Sequence, residues 1–191
     1  MTNAERQTKM NATTNDTPRV WIACLASYND GILHGEWIDA VDADEIREGI
    51  ERVLKTSPTP GAEEWAIHDH EGFGSMSDKH PDIDELAELG AAIEEHGEAY
   101  RLYADYIGED YTTVEKFEED YCGEYDSETA YAEELFDEQY ANHIPDHLAN
   151  YIDYEAFARD LFCGDYFSAR GESGLHIFIT ANGPTYRVLT R

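Results

Sequence analysis

The sequence predicts an α+β protein divided into three small domains, and three observations predict it. Short apolar runs bounded by turn residues open the chain. Apolar residues then recur at helical spacing through a middle block crowded with carboxylates. The last stretch returns to apolar segments of strand length around an Asn-Gly turn.

Residues 1–17 are polar and aperiodic, and read as a disordered tail. Residues 18–28 (PRVWIACLASY) read as a buried strand. Asn29-Asp30-Gly31 supplies turn chemistry, and Ile32 to Ala40 forms a second strand. Trp21 and Trp37 fall on these adjacent strands and read as fold residues. Asp42, with Glu45 three residues on, resembles a capping box. Ile46, Ile50, Val53 and Leu54 then recur at helical spacing until Ser57-Pro58-Thr59-Pro60-Gly61 breaks the chain. Glu64 to His70 supplies a third strand. Residues 18–77 therefore form a β-β-α-β unit.

Residues 78–145 read as an acidic helical domain. Pro81 opens a helix carrying Ile83, Leu86, Leu89, Ile93, Tyr100 and Tyr103 on one side. Thr112-Thr113-Val114-Glu115 is a second capping-box candidate, leading into Val114, Phe117 and Tyr121, with Gly123 as the stop. Asp126 or Ser127 caps a third helix with Ala132, Leu135, Phe136 and Tyr140 inward, and Ile144-Pro145 ends it. Residues 146–191 form a C-terminal domain. A helix from Asp153 carries Phe157, Ala158 and Leu161. A hairpin follows: Leu175–Thr180, Asn182-Gly183 as the turn, then Thr185–Leu189.

Charge dominates function. The chain holds 42 Asp+Glu against 13 Lys+Arg, a net of −29. That sign excludes direct binding to nucleic acid or to anionic lipid. No apolar run approaches the length that spans a bilayer, and no apolar leader is visible at the start. Cys24, Cys122 and Cys163 are odd in number and far apart, which fits reduced thiols in a cytoplasm. The charge is uneven. Residues 1–77 carry a net of −8, residues 78–165 a net of −23, and residues 166–191 a net of +2. Adaptation to a salty cytoplasm would acidify every surface, so it does not account for this pattern.

Catalytic and metal signatures are missing. There is no Glu-x-x-His tetrad, Cys-x-x-Cys, EF-hand, phosphate loop or Gly-x-Ser-x-Gly. His143 and His147 are four apart, but Pro145 lies between them. His68 and His70 read as an exposed strand end, and Cys24 as a small core residue. The expectation is no enzyme, no cofactor and no metal.

The acidic block itself is the candidate site. From Glu109 to Glu138 there are 13 acids in 30 residues and a single base, Lys116. At the helical rise this is roughly one charge per 3.5 Å of axis, against about 3.4 Å along one strand of B-DNA. Partner-binding candidates are Asp105, Glu109, Asp110, Glu115, Glu118, Glu119, Asp120, Glu124, Asp126, Glu128, Glu133, Glu134, Asp137 and Glu138. The last four share one helical face at i, i+1, i+4 and i+5. A protein needing only solubility could mix signs there.

Residues 18–40, PRVWIACLASYNDGILHGEWIDA, resemble the opening of the antirestriction protein ArdA family. The elements that carry the resemblance are the apolar strand, Ala26-Ser27-Tyr28-Asn29, Gly31, and Leu33-x-Gly35-x-Trp37-Ile38-Asp39. The stretch from Tyr151 to Leu161 is similar to the family's C-terminal region. The resemblance implies an elongated, three-domain protein from a mobile element. It implies a DNA mimic that blocks type I restriction–modification enzymes by occupying the groove of their DNA-recognition and modification subunits. It also implies a homodimer paired through the C-terminal domain, and the near-neutral, apolar end of the chain fits that contact. The alternative is an acidic binding module that sequesters another basic DNA-binding protein.

Overall fold

The computed structural model describes residues 17–74, 80–108 and 111–180. The fold is α+β, with helices set against small antiparallel sheets. Its contacts divide into two compact units, the first ending at Tyr111 and the second beginning at Thr112.

The first unit opens with β1 (Arg19–Cys24), which curls into α1 (Leu25–Asn29). The strand thus ends before the apolar run does. Ser27 is buried and shares a 2.8 Å hydrogen bond with Ser57, while the Asp30 N–H reaches back to Ala26 and Ser27. Local turn bonds therefore outweigh continued pairing. β2 (Gly35–Asp39), α2 (Ala43–Lys55) and β3 (Trp65–Glu71) complete the β-β-α-β unit, with strand order β2-β1-β3. Trp21 lies opposite Trp37, their rings edge-on at 5.8 Å, and the Arg19 guanidinium sits 5.0 Å from the Trp37 ring centre. Both indoles are half-buried, so they clamp the outer side of the sheet.

Asp42 caps α2 by accepting from the Asp44 and Glu45 N–H groups, which satisfies donors the helix cannot pair itself. Ile46, Ile50 and Val53 face the sheet, and Gly49 lets Ile38 close on the helix axis. The expected long helix after Pro81 is two helices, α3 (Ile83–His96) and α4 (Glu98–Ile107). Gly97, at φ +68°, takes a conformation other residues resist and turns the chain between them. Asp82 rather than Pro81 starts α3, again by accepting two N–H bonds. Gly90 admits the Ala40 carbonyl where any Cβ would overlap it.

The second unit holds α5 (Val114–Asp120), β4 (Tyr121–Tyr125), α6 (Glu128–Gln139), a 3-10 turn at Ala141–His143, α7 (Asp146–Ala149), α8 (Tyr154–Leu161), β5 (Tyr166–Arg170) and β6 (Leu175–Ile179). Thr113, not Thr112, caps α5, and its partner is the Lys116 N–H, so the expected Thr112–Glu115 box does not form. Ser127 caps α6, and Asp153 caps α8. The sheet order is β4-β6-β5. The expected hairpin partner Thr185–Leu189 lies outside the described residues. Both edges of β6 are taken, by β4 and β5.

β6 is buried on both faces. Leu175 and Ile177 pack with Tyr131 and Tyr166, while Phe178 meets Phe117, Tyr121 and Phe167. α6 lies against α8 through Phe136, whose ring is 5.5 Å from both Tyr154 and Phe157. This aromatic floor positions the acidic helix.

Candidate functional site

Acids do two kinds of work here. In the first unit many sit where a helix start needs them: Asp42, Asp44 and Glu45 on α2, and Asp82, Asp84 and Glu85 on α3. Carboxylates there complement the positive end of the helix dipole. Others are matched by bases: Asp84 with Arg47 at 2.7 Å, Glu36 with Arg52 at 3.0 Å, and Glu71 with Arg19 at 2.6 Å. These need no functional explanation.

α6 is different. Its first turn holds Glu128, its last turn holds no base, and Asp137 and Glu138 lie at the negative end of its dipole. Glu133 and Asp137, and Glu134 and Glu138, are like charges four apart. Local electrostatics thus work against this helix. Burial of Tyr131 and Ala132 and the packing of Phe136 hold it in place. Glu133, Asp137 and Glu138 are exposed and Glu134 is half-buried. Together with Ala130 they line an open recess. Among the described residues no basic side chain pairs with Glu133, Glu134 or Asp137. The Tyr154 phenol is held above its ordinary pKa, first by desolvation and then by the charges of Asp137 and Glu133.

The other candidates are scattered. Asp105 is exposed on α4 in the first unit and pairs with Arg101 at 3.4 Å. Glu109 and Asp110 lie outside the described residues. Glu115, Glu118 and Glu119 are exposed on α5, and Asp126 is exposed before α6. Glu124 is half-buried on β4, folded over Gly174. Glu128 is half-buried and accepts a 2.7 Å bond from the Ser168 hydroxyl. Asp120 is not a surface residue: it is 1% exposed and ion-paired with Lys116. The direction in which α5 packs, with Phe117 at 0% exposure, turns Asp120 inward as well. Glu88 and Glu95 are likewise exposed, along α3, and stand outside the candidates named from the sequence. The acidic composition of residues 78–165 was the signal for them.

Among the described residues, no group of three or more His, Cys, Asp or Glu side chains could hold a metal ion, and no helix is long and apolar enough to cross a membrane.

Two tyrosines of the second unit carry a pH prediction. Burial, then the charge of Glu124, pushes the Tyr121 phenol above its ordinary value. Burial, with Cys122 and Tyr166 beside it, does the same to Tyr131. The unfolded chain releases these protons near pH 10, whereas the folded unit retains them. Stability of the second unit is therefore expected to hold up to about pH 9 and fall above about pH 10. Urea melts across that range would measure it, and Tyr131→Phe should make the fall shallower. A fall of the same steepness in Tyr131→Phe would contradict the assignment.

No match is found among curated proteins. A model of the antirestriction protein (ArdA) family matches residues 20–173, from β1 to the turn before β6. That span takes in the β-β-α-β unit, the acidic helices and the aromatic floor beneath α6, and the chain belongs to the ArdA family of antirestriction proteins.

Proposed function

We propose that this protein blocks type I restriction–modification enzymes by imitating bent B-DNA, placing carboxylates in the groove where the enzyme holds phosphates. Membership in an antirestriction family supports a role as an inhibitor of restriction rather than as an enzyme. The observation that supports the finer reading is α6, whose like charges oppose its own stability and where, among the described residues, no base pairs with Glu133, Glu134 or Asp137. A DNA groove lined with Lys and Arg supplies the missing cations. Base edges are not needed, so enzymes with different target sequences can all be blocked. A net charge of −29 corresponds to roughly 50 Å of duplex. A homodimer joined through the C-terminal part doubles that length. The place of action is the cytoplasm, where incoming mobile DNA meets the enzyme.

The test is a binding titration to the DNA-recognition complex of a type I enzyme between about 50 and 200 mM salt, run beside cleavage of unmodified plasmid. Tight binding that loosens steeply with salt, and protection of the plasmid, are expected. Full cleavage in the presence of excess protein would sink the reading. Capture of a histone-like protein in place of the restriction enzyme would move the assignment to a sequestering module.

A further inference from the structure

The first unit carries a surface that charge does not explain. Tyr28, Ile32 and Leu33 fall within six residues of chain and are 57%, 42% and 78% exposed. Single exposed apolar residues are ordinary, but three in one turn are not. This turn is firmly built. The Ile32 N–H donates to the Ser27 carbonyl at 2.9 Å and the Gly31 N–H to Tyr28 at 3.0 Å. The buried Ser27 hydroxyl bonds Ser57, and the Asp30 carboxylate accepts from Thr59 at 3.0 Å. The Tyr28 ring stands edge-on to His68 at 4.6 Å. A loop already fixed in this way loses little conformational freedom when a partner covers it.

Its surroundings state the partner's sign. Asp30 is exposed within the turn. Glu63 and Glu64 are exposed on the segment joined to the start of α1, the helix that leads into the turn, by the 3.0 Å bond from the Leu25 N–H to the Glu64 carbonyl. An apolar centre with a polar rim is how interface hot spots are made. An acidic rim repels a second copy of a chain at −29 and favours a basic protein surface.

We infer that the Tyr28–Leu33 turn is a second contact with the basic DNA-binding enzyme, seating Leu33 and Tyr28 on an apolar patch beside its groove. This rests on the inhibitor reading above and deepens it. The carboxylates supply salt-sensitive attraction, and this turn supplies affinity that salt does not screen.

The full chain and its Leu33→Ser, Leu33→Met and Tyr28→Ala/Leu33→Ser variants would be titrated against the recognition complex at about 50 and 200 mM salt. Leu33→Ser should bind about tenfold more weakly at both salt levels, and the double variant more weakly still. Leu33→Met should bind like wild type, both single variants should melt like wild type because Leu33 is exposed, and the double variant should melt only slightly lower, by the loss of the Tyr28–His68 ring contact. Wild-type affinity in the double variant would overturn the inference while leaving the inhibitor reading intact. A loss seen only at low salt would also overturn it, because the turn would then act through charge. Absence of wild-type binding would remove the inhibitor reading and this inference together.

Discussion

Phe178→Ala is expected to remove about 3–5 kcal/mol from the stability of the second unit. Phe178 is 0% exposed on the middle strand of its sheet. Its ring stacks on Phe167 at 4.8 Å and contacts Tyr121 at 5.3 Å and Phe117 at 6.3 Å. β6 is hydrogen-bonded on both sides, so its backbone cannot move inward to fill the space left by the ring. Deleting the ring thus leaves a cavity shared by α5, β4 and β5. The loss is large against the roughly 5–15 kcal/mol that holds a typical domain together. Urea unfolding would read it, with Phe178→Leu as the control that keeps most of the volume and should cost less than about 1.5 kcal/mol. A loss below about 1 kcal/mol for Phe178→Ala would contradict the packing described here. Inhibition should fall with stability in this variant, because α6 is carried on the same unit.

How far the sequence foretells this architecture depends on how local each determinant is. Asp42, Ser127 and Asp153 cap their helices through N–H groups two or three residues away, so the caps are legible from the sequence. The β-β-α-β unit is legible because its strands follow one another and one helix covers them. β4 is not. Tyr121 and Tyr125 suit a helix face and a strand equally, and what decides is pairing with β6, where Tyr121 lies opposite Phe178 and its hydroxyl shares a 3.0 Å hydrogen bond with His176, 55 residues away. β5 is hidden for a related reason: Tyr166–Arg170 has little alternation of its own and is fixed by a tight return through Gly171–Gly174. The candidate site divides in the same way. The acidic block is visible as composition, and the α6 face is visible as spacing. Composition does not separate Asp120 and Glu128, which satisfy Lys116 and Ser168, from the carboxylates left to solvent.

Replacing Glu133, Glu134 and Glu138 by Gln and Asp137 by Asn is expected to move stability and inhibition in opposite directions. The change removes two like-charge i,i+4 pairs, each costing the helix about 0.2–0.5 kcal/mol. It also removes two charges at the negative end of the helix dipole, each unfavourable by a few tenths of a kcal/mol once solvent screening is allowed for. The second unit should therefore melt slightly higher. The Tyr154 phenol, freed from the charges of Asp137 and Glu133, should titrate closer to its ordinary value, which gives a readout independent of binding. Inhibition should weaken at least tenfold, because four screened contacts of up to about 1 kcal/mol each are lost together. Glu134→Gln alone should barely alter either quantity, since no single carboxylate holds the partner. A gain in stability with a loss of inhibition identifies carboxylates kept at the helix's expense for an external cation. If the fourfold variant inhibits as well as wild type, α6 is only a solvated face. If one substitution abolishes binding, a localised pocket is at work and the mimicry reading must be dropped.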